Sequence, residues 1–359
     1  MKASSVFALV VAIGVAILVT SGCGSVGPAP VGAGVNAPPP ATPPAKWLYV
    51  HHNGEFFSYR LPLSAASKPV VAATEWPGSA FPPVITVGPY GNVALANATE
   101  IRILNPPIVS FDRSRIKLTI KLTPAITNVG PYGAELEDIE YDPNGNLWLF
   151  NNLGPSITEL RAPLTKNMVA SLSIPWGAPG SKTSGYTALG PARFDVNAAL
   201  YLYATNGNDR SRLFKVSFPY AKPASSLGIN LDQPDFVDST QYLPTSKNPA
   251  SVILGQYIGQ LRTPKPGSPP SPPADVLGQF NEPLMPVNGL IPNDHTSTVV
   301  DALVADPPRE LFYTLGQTGR INAYTLPLSG GAKPVLNLPC LAGTTDCTAT
   351  GFQKLELAP

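Results

Sequence analysis

The chain has 359 residues, of which only 13% are charged, and its formal net charge is +1. That balance leaves no electrostatic footprint for a phosphate backbone, so nucleic acid is excluded as an expected partner. Forty-three prolines argue against a helical protein, and no long stretch combines a helical apolar period with caps.

In chain order, Met1 and Lys2 precede an uncharged apolar run from Phe7 to Val19. The run is short for a membrane span and has the length of a signal-peptide core. It ends in Val19-Thr20-Ser21-Gly22-Cys23. Small residues before a cysteine, directly after such a core, resemble the lipobox of bacterial lipoproteins. The resemblance implies a signal peptide over 1–22, cleavage before Cys23, and acyl chains on that residue. Several chains on one residue anchor firmly where one would be marginal. An ordinary signal peptide with an incidental cysteine is the alternative. Gly24 stands where an Asp resembles an inner-membrane retention signal. The expected location is therefore extracytoplasmic and lipid-anchored to the bacterial membrane, the outer one if the cell is Gram-negative.

Residues 23–45 carry no charge and include Pro38-Pro39-Pro40 and Pro43-Pro44. Such a segment is an extended, semi-rigid tether. The folded part is then 46–359, read as one domain.

Its plainest unit is Glu137–Leu164. Ile139-Glu140-Tyr141 alternates and runs into Asp142-Pro143-Asn144-Gly145-Asn146, a strand entering a tight turn. Leu147–Phe150 is a second strand, Ile157–Leu160 a third ended by Pro163, and Asn167–Ile174 supplies a fourth. The first-strand phrase returns at Ile85–Val93, Arg193–Leu200 and Val304–Leu311. The third-strand phrase also recurs: Tyr59–Ser64 and Tyr324–Ser329 nearly match each other, each followed by Lys-Pro-Val from Lys68 and Lys333, and Leu160–Thr165 is a third version. Second strands are expected to begin at Leu48, Val93, Leu147, Leu200, Val252 and Leu311. Four short strands per unit of roughly 40–60 residues mark a β-propeller. The expected fold is all-β: a six-bladed propeller with four antiparallel strands per blade. A meandering β-sandwich is the alternative. Gly351–Leu357 matches Glu135–Tyr141 and then stops. The C-terminal strand is therefore expected to join the blade begun by Trp47–Val50, closing the ring and covering its edges.

Thr263–Pro286 reads as a Pro/Ser surface excursion near the fifth blade. Cys340 and Cys347 flank a short loop, and outside the cytoplasm such a pair is expected to form a disulfide. A metal site there is the alternative.

One face of a propeller gathers the loops from second to third strands and from each blade to the next. The first group brings His51, His52, Asn151 and Asn152; the second brings Trp76, Glu135, Glu137, Asp138, Trp176 and His295. Polar groups converging on a channel mouth are a candidate binding site. Glu135, Glu137 and Asp138 form a dense carboxylate group able to hold calcium or magnesium through oxygen. Equally, one carboxylate points inward and the others are solvated. Trp76 and Trp176 sit in Gly/Pro-rich loops, where they stack on a sugar or peptide, or cap the blade below. Asp142, Asp195 and Asp306 share a repeat position and are expected to accept turn hydrogen bonds. Trp148 is expected to pack between blades.

The phrase DPNGNLWLFNN, Asp142–Asn152, resembles the repeats of NHL-type and streptogramin-lyase-like propellers. The resemblance implies the fold and leaves function open. Six-bladed relatives include gluconolactonases, which hold a metal by Glu, Asn and Asp around the channel; the matching strand here offers Gln353 and Lys354. Streptogramin lyases use a His with a nearby metal; His51, His52 and His295 lie in no matching motif. The expectation is a non-enzymatic module without a cofactor, binding a protein, small molecule or glycan at the cell envelope. The alternative is a metal-dependent lactonase or lyase using Glu137 or Asp138 with Asn151 and His295.

Overall fold

The computed structural model describes residues 44–52, 54–74, 84–110, 113–127, 136–152, 155–177, 179, 184–194, 198, 200–205, 211–216, 225–226, 239–243, 251–255, 276–281, 285–292, 300–316, 319–326, 332–338 and 354–359. The chain divides into Met1–Ala41 and Thr42–Pro359, and all described residues lie in the second unit.

That unit is all-β, a propeller arrangement of four-stranded antiparallel sheets. The first sheet begins with β1 (Trp47–His52), β2 (Glu55–Arg60) and β3 (Val71–Thr74). The second holds β4 (Val84–Val87), β5 (Val93–Ala96), β6 (Glu100–Leu104) and β7 (Ile116–Lys121). The third holds β8 (Leu136–Tyr141), β9 (Leu147–Asn151), β10 (Ser156–Leu160) and β11 (Leu172–Pro175). The fourth holds β12 (Ala188–Phe194), β13 (Leu200–Thr205), β14 (Ser211–Val216) and β15 (Ser225–Ser226). A fifth is built from β16 (Ser239–Leu243), β17 (Ser251–Gly255), β18 (Val276–Asn281) and β19 (Met285–Pro292). A sixth is built from β20 (Val300–Asp306), β21 (Leu311–Gly316), β22 (Ile321–Thr325) and β23 (Leu336–Leu338). The last strand, β24 (Lys354–Ala358), returns to the first sheet, where Leu357 pairs with Leu48 and Lys354 with His51.

The expected second-strand starts Val93, Leu147, Leu200 and Leu311 are the first residues of β5, β9, β13 and β21. Leu48 and Val252 lie one residue inside β1 and β17. One expectation needs correction: Val276–Asn281 and Met285–Pro286, placed in the Pro/Ser excursion, belong to strands β18 and β19. The proline runs before them hid a strand whose own residues, Val276-Leu277-Gly278-Gln279-Phe280, carry no proline.

The apolar core lies between sheets rather than inside any one of them. Leu48, Val50 and Phe57 of the first sheet pack with Val304, Tyr313 and Leu315 of the sixth. Tyr49 and Phe56, from the opposite side of the first sheet, pack with Ile85 and Leu95 of the second. Ala94 and Ile103 meet Ile139 and Leu149. Trp148 and Phe150 meet Leu200 and Leu202. Period-two alternation sends neighbouring residues of one strand into two different interfaces, so both faces of a sheet are apolar. Each large side chain fully buried there contributes about 1.5–3 kcal/mol. Innermost strands touch in succession, β24 to β4, β4 to β8, β8 to β12, β12 to β16, β16 to β20, and β20 back to β24.

Strand direction gives the unit two faces. One, the turn face, holds the connections from first to second and from third to fourth strands. Gly91 there, at φ +78°, would place a Cβ 3.1 Å from Pro359 Cγ, and Gly145, at φ +83°, would place one 3.6 Å from the Tyr90 ring. These contacts put the turns of the first three sheets on one side. The chain enters on that same side, where Lys46 N donates to Ala358 O at 2.8 Å. The opposite, crossing face holds the loops that carry the expected site.

Asp142 does what its repeat position suggested. Its carboxylate accepts from Asn144 N, Asn146 N, Asn146 Nδ2 and Trp148 Nε1, at 2.8, 3.0, 2.8 and 3.2 Å. The turn and the packing tryptophan are thereby fixed by one side chain. Asp306 pairs with Arg309; Asp195 lies outside the described residues.

Candidate functional site

Alternation along the inner strands builds the site. In β8, Ile139 and Tyr141 face the second sheet, while Asp138 and Glu140 face the fourth and the centre. In β24, Leu355 faces the sixth sheet, and Lys354 and Glu356 point the other way. Arg193 arrives from β12 and Thr86 from β4.

These residues meet in one network. Lys354 Nζ donates to Asp138 Oδ1 at 2.6 Å, Ile139 O at 2.9 Å and Glu140 Oε2 at 3.0 Å, and stands 3.3 Å from Glu356 Oε1. Arg193 Nη1 donates to Glu140 Oε2 and Glu356 Oε1, both at 2.7 Å, and Nη2 donates to Leu355 O at 3.3 Å. Thr86 Oγ1 donates to Glu140 Oε2 at 3.2 Å. Asp138 also accepts from Ile139 N at 2.8 Å and from Ala192 N at 2.9 Å. Register shifts at Leu136/Asp138 and Leu189/Ala192 break the inner ladder here and leave that amide available to the carboxylate.

The network is dry: side-chain exposure is 1% for Asp138 and 5% for Lys354. Three carboxylates face two cations, so fully ionised it carries one net negative charge. Burial disfavours the charge of Lys354, but Asp138 and Glu140 outweigh it and hold the ammonium above its usual range. Arg193 is likewise held above its usual range, its burial outweighed by Glu140 and Glu356. Burial raises Asp138, yet both its oxygens are filled by donors. Glu356 is pushed up to about 7 by burial and by Glu140 and Asp138, against the pull of Arg193 and Lys354. It is the member best placed to hold the excess proton.

A pH dependence follows. An acid raised in the folded state from about 4.5 to about 7 favours folding below 4.5 and loses that advantage as the pH rises through 7. Glu356→Gln keeps an oxygen for Arg193 and neutralises the network. We expect it to raise the melting temperature at pH 8 by about 2–5 °C and to flatten the loss between pH 5 and 7. A variant no more stable than the parent at pH 8 contradicts the assignment.

The expected site residues fall into three groups. Asp138 is in the network. Glu137, half-buried at the register shift, accepts from Asn152 Nδ2 at 3.1 Å, and Asn152 Oδ1 accepts from Leu189 N at 2.6 Å. Asn152 therefore ties the third sheet to the fourth. Asn151 is buried at the end of β9. His51 and His52 are buried at the end of β1, where His51 is the ladder partner of Lys354. Trp176 is 3% exposed and set edge-on to Phe214, so here it packs between the third and fourth sheets rather than facing a ligand. Glu135, His295, Trp76, Cys23, Cys340 and Cys347 lie outside the described residues. The carboxylate group expected around Glu135, Glu137 and Asp138 is thus split, with Glu137 turned to Asn152 and Asp138 to Lys354.

Thr86, Glu140, Arg193 and Glu356 were not foreseen. The available signal was charge alternating with apolar residues, Asp138-Ile139-Glu140 and Lys354-Leu355-Glu356, on strands already assigned to the channel.

A divalent cation fits this centre poorly. Calcium or magnesium needs several oxygen ligands turned toward one point. Here the carboxylate oxygens that converge are turned toward an ammonium and a guanidinium already supplied by the chain.

No family model matches the chain, and no curated protein matches it. Among solved structures it is similar to a streptogramin B lyase, at 12% identity over 84% of this chain and 76% of that one, with a TM-score of 0.45. It is also similar to a catalytically inactive virginiamycin B lyase from Staphylococcus aureus, crystallised with quinupristin. That match has 10% identity over 82% of this chain and 80% of that one, with a TM-score of 0.47. Likeness at this level carries no functional argument, and the fold stands on the sheets themselves.

Proposed function

We propose that the chain is a lipid-anchored, extracytoplasmic six-bladed propeller that works as a binding module at a bacterial cell envelope. The six four-stranded sheets are its blades, with β24 as the innermost strand of the first. The ligand is a protein, small molecule or glycan taken on the crossing face. Anchoring is through Cys23, and the Cys340–Cys347 disulfide belongs to the same proposal.

The observation that carries a non-enzymatic role is Lys354. Its ammonium lies among Asp138, Glu140 and Glu356, so the acids nearest the centre are bound to the chain's own cations. Carboxylates engaged in this way hold strands together and are turned toward the chain's own cations rather than toward a substrate. The metal-dependent lactonase or lyase alternative needs Glu137 or Asp138 released for a cation.

The test is titration calorimetry with magnesium, calcium and manganese, alongside hydrolysis assays on lactones and cyclic depsipeptides. The expected result is neither stoichiometric metal binding nor turnover. Metal-dependent turnover abolished by Asp138→Asn would overturn the proposal in favour of the enzyme.

A further inference from the structure

Among the described residues the exposed large apolar side chains are Val70, Tyr90, Val109, Val169 and Val335, and Tyr90 is 77% exposed. All five lie in connections on the turn face. Three recur at one repeat position, just ahead of the outermost strand of the first, third and sixth sheets, and each follows an exposed lysine: Lys68 before Val70, Lys166 before Val169, Lys333 before Val335. Lys46, at the chain entry, is exposed on the same side.

Acidic groups do not balance them. Among the described residues of that face, Asp142 and Asp306 are buried and bonded within their turns, and Glu159 is buried beside Arg161. Glu310 is an exposed side-chain carboxylate there. A near-neutral protein thus presents a face of isolated apolar tips beside lysines. Apolar tips enter the boundary between headgroups and acyl chains while flanking lysines meet anionic headgroups, an arrangement that favours a charged lipid surface over a flat protein partner.

The course of the chain points the same way. Lys46 leaves the first sheet on the turn face, and the preceding sequence runs through a Pro-rich tether to Cys23. We propose that the turn face is a second, electrostatic membrane contact, which seats the domain on anionic lipid and turns the crossing face away from the bilayer. The proposal rests on the lipid-anchored reading above and adds an orientation to it. Surface charges act over about a Debye length, roughly 8–10 Å at physiological salt, so the contact is sensitive to salt and to lipid charge.

The experiment uses the full acylated chain reconstituted into vesicles of phosphatidylglycerol with phosphatidylethanolamine, or of phosphatidylcholine alone. A fluorophore is coupled through a non-natural azide side chain in place of Val169 on the turn face, or of Thr99 on the crossing face. Quenching by nitroxide-headgroup lipid is read beside vesicle flotation. The expected result is flotation with both vesicles, and quenching at position 169 but not 99. That quenching should be confined to anionic vesicles and lost in high salt or on combining Lys68→Glu, Lys166→Glu and Lys333→Glu. Equal quenching at the two positions overturns the orientation while leaving the anchor in place. Quenching at 169 that ignores lipid charge and the triple reversal overturns the electrostatic contact. A chain that floats with neither vesicle overturns both the anchor and the face built on it.

Discussion

Lys354→Ala is expected to destabilise the domain by about 3–5 kcal/mol at neutral pH, because it strands buried carboxylates without their cation. Asp138 and Glu140 lose their shortest bond and one of their closest bonds to a cation, and Glu356 keeps only Arg193. The loss should also be acid-reversible. At low pH Asp138 and Glu356, both raised by burial, take up protons, the network no longer needs a second cation, and the gap between variant and parent narrows. Thermal melts at pH 4.5 and 7.5 read this directly. A pair with an exposed cation supplies the control: Lys121 is 68% exposed, and Glu100 beside it keeps Arg102, so Lys121→Ala is expected to cost about 0–1 kcal/mol. A Lys354 variant as stable as the parent, or one whose deficit is the same at both pH values, would show that the buried charges are not paired as described.

Ending the chain at Thr350 is expected to have the second large effect. It removes β24, and with it the backbone partner of Trp47–His51 and two members of the central network. The edge of β1 is then an unpaired row of amides and carbonyls, a template for pairing with another chain. The truncated protein should lose its single cooperative unfolding transition and self-associate, as followed by sedimentation and thermal denaturation. Adding a peptide of residues 351–359 should restore both, since the missing strand needs no covalent link to pair. A truncated chain that stays monomeric and melts like the parent would mean that the first sheet does not depend on the last strand.

How far the sequence carried these conclusions depended on the kind of signal. Sheet order was legible because turn chemistry repeats: Asp142-Pro143-Asn144-Gly145 and its counterparts punctuate the chain where strands must reverse, and four second-strand starts could be named to the residue. The return of the last strand was legible because Phe352–Leu357 repeats a first-strand phrase whose matching second strand stands at Trp47–Val50. The site was legible only in part. Asp138 was named as a cation ligand, but the cation it meets comes from a residue 216 positions away in sequence. Repeat phrases align each strand with its counterparts and say nothing about which side chains meet across a centre. Arg193 shows the same limit: it was read as the opening of a repeat, while its guanidinium spans from β8 to β24. Trp176 was open between two readings, a platform for a ligand or a cap on its blade, and the structure packs its ring between the third and fourth sheets against Phe214. Composition of a loop does not reveal whether the loop folds back over its own sheet.

The most direct measurement is a crystal structure of the full domain grown in saturating magnesium and calcium at neutral pH. It should place the Lys354 ammonium within hydrogen-bonding reach of Asp138 and Glu140, with Arg193 bridging Glu140 to Glu356 and no divalent ion between them. A cation seated on Asp138 and Glu140, with Lys354 swung away, would contradict a self-neutralised centre and return the domain to the metal enzymes.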